Sequence, residues 1–154
     1  AAALARSTPS AVTWGVPIDA AIVGEGGSGG AVAIAAANTV LMMEHAVYSV
    51  ISPEAAAAIL YKTEDQDNPR SERVRETAIG MKITAQDLLA LSVIDGIVAE
   101  PQGGAHRNPD AAIAALGAAV AQALDEHLGR SAQALRQQRR DRFYAIGRSG
   151  LGTV

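Results

Sequence analysis

The chain's densest chemical signal is the run Gly24-Glu25-Gly26-Gly27-Ser28-Gly29-Gly30. Glycines between a strand and a helix let the backbone turn sharply and leave amide N–H groups unobstructed at the helix start. Such amides can cradle a phosphate or stabilise an oxyanion, and the same residues can also form a tight turn where only glycine fits. A Walker-type phosphate loop needs Gly-Lys-Ser/Thr at this point, and Gly29-Gly30-Ala31-Val32 stands there instead. Gly24, Gly26 and Gly29 satisfy G-x-G-x-x-G, but the residues about twenty positions on make no convincing second strand and acid, and a lone match of this kind is common by chance. Gly26, Ser28 and Gly30 satisfy G-x-S-x-G, the nucleophile elbow of serine hydrolases. That reading makes Ser28 a nucleophile with Asp95 and His106 as partners, His45 and His127 being less suited by order or setting. From the residues alone the turn, the oxyanion hole and the elbow stay open.

Other chemistry is scarce. His45, His106 and His127 are too scattered for a metal site, and without cysteine there is no disulfide, thiolate nucleophile or cysteine zinc site. The absence of cysteine permits a reducing cytoplasm. A formal net charge of −3 supplies no global field for nucleic acid or an anionic membrane. Arg136, Arg139, Arg140 and Arg142 near the C-terminus form a local basic stretch, read as a solvated helix face rather than a nucleic-acid patch. The uncharged run from Gly26 to Met43 holds four glycines with Ser28, Asn38 and Thr39, which fits turn, helix and strand better than a bilayer helix. No basic segment followed by an apolar stretch opens the chain, so no secretory signal is expected. The first residue is Ala rather than Met, which suggests a longer polypeptide.

Positioning the glycines requires a strand before them and a helix after them. Val16 to Val23 reads as the strand and Ala31 to Ala37 as the helix. With aromatics at only 3% and hydrophobics at 49% of 154 residues, the core must be close-packed alanine and aliphatic side chains in helix-over-sheet layers, an α/β fold. Val40 to Met43 and Ala46 to Ile51 read as short strands. Ser52-Pro53-Glu54 caps and opens a helix over Ala55 to Tyr61. Lys62 to Glu76, dense in charge, is expected to be a solvated loop or exposed helix. Thr84 to Asp87 opens a helix through Leu91, and Ile94 to Val98 is a strand. Asn108-Pro109-Asp110 starts the longest helix, with Ile113, Leu116, Val120, Leu124 and Leu128 as one apolar stripe. Its basic continuation makes residues 129–154 a helical tail beyond a main domain over residues 1–128.

Three runs, taken together, resemble the α subunit of bacterial acetyl-CoA carboxylase carboxyltransferase, in its C-terminal part. They are Val23 to Ala31, Glu44-His45-Ala46-Val47-Tyr48-Ser49-Val50-Ile51-Ser52-Pro53-Glu54, and Glu100-Pro101-Gln102-Gly103-Gly104-Ala105-His106-Arg107-Asn108-Pro109. Lys82 to Leu89 and the basic C-terminal helix add to the likeness. Departures lie in Ala1 to Trp14, at Ala55 where the family usually has glycine, and in the charged stretch around Glu64 to Glu76.

The resemblance implies the crotonase fold of repeated ββα units, present here in part. It implies transfer of a carboxyl group from carboxybiotin, on a separate biotin carboxyl carrier protein, to acetyl-CoA to give malonyl-CoA for fatty-acid synthesis in the cytoplasm. It implies a β subunit in an α2β2 assembly working with biotin carboxylase, no cofactor held by this chain itself, and no activity without the β subunit and the remainder of the α chain. By resemblance Gly29 and Gly30 supply a backbone oxyanion hole, while Gly26, Gly27 and Ser28 contact substrate. Ser28 is then no nucleophile. Val32 stands where a hydratase of the same superfamily carries a catalytic glutamate, and Glu54 falls near the second such position but is equally explained as a helix-start residue.

Overall fold

A computed structural model describes residues 2–61, 69–146 and 148 of the chain. The order of elements is α1 (Ala2–Thr13), β1 (Asp19–Ile22), β2 (Glu25–Gly27), α2 (Ser28–Ile34), β3 (Thr39–Met43), β4 (Val47–Ser49) and α3 (Pro53–Leu60). Then come α4 (Arg70–Met81), α5 (Ala85–Ala90), β5 (Gly96–Val98), a 3-10 turn at Ala105–Arg107, α6 (Pro109–Asp125) and α7 (Ala132–Ala145). Two ββα units follow one another, β1-β2-α2 and β3-β4-α3. Their first strands, joined by β5, form a parallel sheet in the order β1-β3-β5, and their second strands form a parallel pair, β2-β4. This layered arrangement is the crotonase type that the resemblance implied.

The first sheet is buried because its strands are almost wholly apolar, as parallel strands covered on both faces must be. Val40 and Met42 are fully enclosed, and Ala35, Ala37, Ala85, Leu88, Ile94, Ala112 and Ala123 close over them. Small side chains let helices approach the sheet closely enough to leave few voids. The helix starts follow local chemistry. Ser52, Thr84 and Asn108 each accept a hydrogen bond from the backbone N–H three residues on, at Ala55, Asp87 and Ala111, and proline occupies the first position of α3 and α6.

Several expectations shift. The strand expected over Val16 to Val23 contracts to Asp19–Ile22. The glycine run is not wholly a turn, since Glu25–Gly27 forms β2, and α2 opens at Ser28 and ends at Ile34 rather than spanning Ala31 to Ala37. On α6 the expected stripe faces the core only in its middle: Leu116 and Val120 pack against the core, Ile113 is 68% exposed, Leu128 lies beyond the helix, and Ala112 and Ala123 are buried. Against a tightly packed sheet, alanine allows a closer approach than the branched residues one position away. The long helix does not run on, because Gly129 at φ +75° and the Ser131 cap separate α6 from α7. The charged stretch is helical from Arg70, and its part over residues 62–68 lies outside the described residues.

The basic face of α7 is also not simply solvated. Arg139 is completely buried, with its guanidinium donating to the carbonyls of Ala11, Trp14 and Val16. Arg142 pairs with Asp95 at 2.9 Å and donates to the Val93 carbonyl at 2.7 Å. Asn38, between α2 and β3, donates to the Leu135 carbonyl at 3.0 Å. These bonds tie α7 to α1, β3 and the segment leading into β5, and burial pulls the Arg139 guanidinium below its ordinary pKa with Arg136 adding to the shift.

Candidate active site at the glycine run

The glycine run leaves the carboxyl end of β1, the end of a parallel α/β sheet where ligands ordinarily bind. Its first half is held as a strand in the register Glu25 to Val47, Gly26 to Tyr48 and Gly27 to Ser49. The Val47 N–H donates to the Gly24 carbonyl at 3.0 Å. Gly26 is a packing glycine, because a Cβ there would lie 3.1 Å from Ile22 Cγ2 and 3.3 Å from the Tyr48 ring. Burial raises the Tyr48 phenol above its ordinary pKa, so it remains neutral against the strand, with Arg142 opposing the shift.

The second half opens α2. Gly27 is its N-cap and carries no side chain to cap the helix, so the first N–H groups of α2 receive no side-chain acceptor. Ser28 stands at φ +60°, a left-handed conformation that costs a non-glycine residue about 1–2 kcal/mol. Gly29 is the opposite of Gly26, with nothing within 4 Å of a Cβ built on it. Its lack of a side chain therefore has no explanation in the packing of the described residues.

Beside the run lies an open cleft of about 570 Å³. Gly26, Gly27 and Ser28 line it, together with Glu25, Glu54, Ser49 and Ser52. A second, more apolar hollow of about 270 Å³ lies on the other side, against Val23, Ala31 and Ile34. Gly29 and Gly30 line neither; they lie on the first turn of α2. Glu54 sits in the first turn of α3 and on the cleft wall, so its helix-start position and its place at the site are compatible. Val32 faces a different hollow, with Ala36, Arg140 and Phe143, and brings no carboxylate to the glycines.

The hydrolase constellation is not assembled. Asp95 precedes β5, at the amino end of the sheet, where its carboxylate accepts from the Val40 N–H at 2.7 Å and pairs with Arg142. Ser28 lies beyond the carboxyl end of β1. His127 is buried against Thr39 at 2.9 Å, His45 lies beside Glu100, and His106 belongs to the 3-10 turn. None of the three hydrogen-bonds Ser28 among the described residues. Among those residues there is also no group of three His, Cys, Asp or Glu that could hold a metal ion, and no helix is long and apolar enough to cross a membrane.

The sequence-level reading did not single out Glu100 as a working residue, although its run carried the resemblance. Its side chain is only 8% exposed and accepts from the His45 N–H at 3.0 Å and the Ala105 N–H at 2.8 Å. Those two backbone bonds hold its carboxyl below the ordinary glutamate pKa, more strongly than burial raises it. Nothing in the amino-acid pattern signals that a Glu before a proline turns inward.

Comparison with known proteins agrees with this geometry. The family described as acetyl co-enzyme A carboxylase carboxyltransferase-like matches residues 1–147. The acetyl-coenzyme A carboxylase carboxyl transferase subunit alpha of Rhizorhabdus wittichii is 59% identical over 147 residues, covering 96% of this chain and 45% of that protein. The protein of the same name from Xanthobacter autotrophicus is 56% identical over 149 residues, covering 97% of this chain and 45% of that protein. Among solved structures, a transcarboxylase 12S superposes with a TM-score of 0.63 at 18% identity, over 80% of this chain and 23% of that one. A Pseudomonas malonate decarboxylase hetero-tetramer in complex with coenzyme A superposes with a TM-score of 0.62 at 17% identity, over 89% of this chain and 50% of that one. At such identity the two structures speak for the fold. The chain spans less than half the length of the curated relatives it matches, and by the family match and those identities it belongs to the acetyl co-enzyme A carboxylase carboxyltransferase-like family.

Proposed function

We propose that this chain forms part of the α side of an acetyl-CoA carboxylase carboxyltransferase, with a partial catalytic domain over residues 1–128 and a C-terminal segment whose helix α7 packs onto it. The substrates are carboxybiotin on a carrier protein and acetyl-CoA, and the product is malonyl-CoA, the precursor of fatty-acid synthesis in the cytoplasm. A β subunit completes the site in an α2β2 assembly, and biotin carboxylase supplies the carboxylated carrier. The observation that carries the reading is Gly29: it lies in the first turn of a helix without a side-chain cap, and its missing side chain leaves open space.

In this reaction the C–N bond to the carboxyl group of carboxybiotin breaks, the acetyl methyl group gives its proton to the biotin ureido group, and the methyl carbon forms the new C–C bond. Negative charge develops on oxygen as this happens. The Gly29 and Gly30 N–H groups donate to that oxygen, and Gly26, Gly27 and Ser28 form the adjoining wall that contacts substrate. Because α2 has only seven residues, the donors act as individual hydrogen bonds rather than through a long helix dipole. One such donor is worth about 3–4 kcal/mol of barrier.

The test is reconstitution of the full-length α chain with its β partner and measurement of malonyl-CoA formed from carboxybiotin. Gly29→Val should lower the rate by at least about a hundredfold while the complex still assembles. An unchanged rate removes the oxyanion role from these amides, and assembly without turnover in the unmodified complex points to a binding role alone.

A further inference from the structure

Three chain segments meet at Glu100. One carboxylate oxygen accepts from the His45 N–H in the turn between β3 and β4, and the other accepts from the Ala105 N–H at the start of the 3-10 turn. The Glu100 N–H donates in return to the Glu44 carboxylate at 3.1 Å. The Glu44 N–H donates to the Val98 carbonyl at 2.9 Å, and its carbonyl accepts from the Gln86 side chain at 3.3 Å. Two glutamates, one just beyond β3 and one just beyond β5, thus lock the carboxyl end of the sheet through backbone N–H groups. A carboxylate does this better than an amide, because both oxygens are acceptors and each bond is charge-assisted.

What the clamp holds is the turn that launches β4. Two residues after His45, the Val47 N–H reaches the Gly24 carbonyl, and from there β4 pairs with the whole of β2. The glycine strand is short, its glycines have little preference for extended structure, and β4 is its sole strand partner among the described residues. Its position therefore depends on β4, which is anchored at its start by the turn at His45 and on its other edge by Ile83 and Thr84, the Tyr48 N–H donating to the Ile83 carbonyl at 3.0 Å.

We propose that Glu100 is a positioning residue for the glycine site: by fixing the His45 turn it sets β4, and through β4 the Gly24–Gly30 run, in the geometry that carboxyl transfer needs. Its relevance to turnover rests on the carboxyltransferase reading above, but its structural content does not. Glu100 itself touches none of the glycines.

The experiment compares wild type, Glu100→Gln and Glu100→Ala in the full-length chain assembled with its β partner. Amide hydrogen exchange is followed at Val47 and Gly26 alongside malonyl-CoA turnover. Gln keeps one accepting oxygen and Ala keeps none, so exchange at these amides should quicken in the order Glu, Gln, Ala. The rate constant for turnover should fall about tenfold or more with Gln. The KM for acetyl-CoA should change little, because Glu100 does not contact the cleft. Unchanged exchange at β2 and β4 in either folded variant overturns the proposal. So does global unfolding of both variants, which would make Glu100 a residue of the whole fold. An inactive wild-type complex with graded exchange would instead sink the carboxyltransferase reading and leave the positioning role standing.

Discussion

The amide of Val47 donates to the carbonyl of Gly24 at 3.0 Å, the first rung of a ladder that turns half of the glycine run into a strand. Behind that rung the glycines divide into two kinds, those enclosed by the fold and those facing open space.

Gly26 and Gly29 should therefore respond oppositely to alanine. Gly26→Ala drives a Cβ against Ile22 and Tyr48 and should lower unfolding free energy by about 1–3 kcal/mol, read from the urea midpoint. Gly29→Ala meets nothing and should leave stability within about 0.5 kcal/mol. Activity in the assembled enzyme should nonetheless fall, since the added methyl group occupies the approach to the amides.

Ser28 offers a clean separation of two chemistries. Ser28→Gly relieves the left-handed backbone and should raise stability by about 1 kcal/mol, measured by thermal unfolding. A serine hydrolase would lose all activity with this change. The carboxyltransferase should lose only the substrate contact of the hydroxyl and still turn over, and a fluorophosphonate probe should label neither wild type nor variant.

Arg139 is the most deeply buried charged residue among the described residues. Arg139→Met removes donors to the carbonyls of Ala11, Trp14 and Val16, and should cost about 3 kcal/mol or more by chemical denaturation. Arg139→Lys should recover little of this, because a single ammonium cannot reproduce the planar fork that reaches three acceptors on α1 and the link to β1.

Two carboxylates should give stability opposite slopes with pH. The Asp19 side chain is 3% exposed, and burial raises its pKa above 3.8, with Thr39 and His127 opposing the shift and Glu126 and Asp95 adding to it. A raised carboxyl contributes stability that is present below its unfolded pKa and is lost as pH rises through the folded value. The stability of Asp19→Asn relative to wild type should thus grow as pH climbs from 3.8. Glu100 is depressed, so its contribution is present above 4.5 and is lost as pH falls through its folded value. The deficit of Glu100→Gln should accordingly shrink in acid. Urea midpoints across the acid range for both variants check the two signs.

Where side chain and backbone interact within three or four residues, the amino-acid order was informative. Ser52, Thr84 and Asn108 cap helices that begin where their chemistry says, since the bond each makes is local. The strands Val40 to Met43 and Ala46 to Ile51 were visible from their apolar character, the first gaining Thr39 and the second contracting to Val47–Ser49. The burial of Ala112 and Ala123 beside the exposed Ile113 and Leu124 was not visible, because a helix dense in apolar residues has more than one possible inner face. Choosing between them depends on how closely the sheet lies.

The sequence by itself determined the family, through three runs in order, and the α/β character that its small apolar residues require. The tertiary structure decided which glycines pack and which stay open, because that depends on Ile22 of β1 and Tyr48 of β4 both reaching Gly26 of β2. It also separated Asp95 from Ser28 at opposite ends of the sheet, buried Arg139, and turned Glu100 inward. Each of these is a relation between residues far apart in the chain, brought about by strand pairing and helix packing, which no local preference encodes.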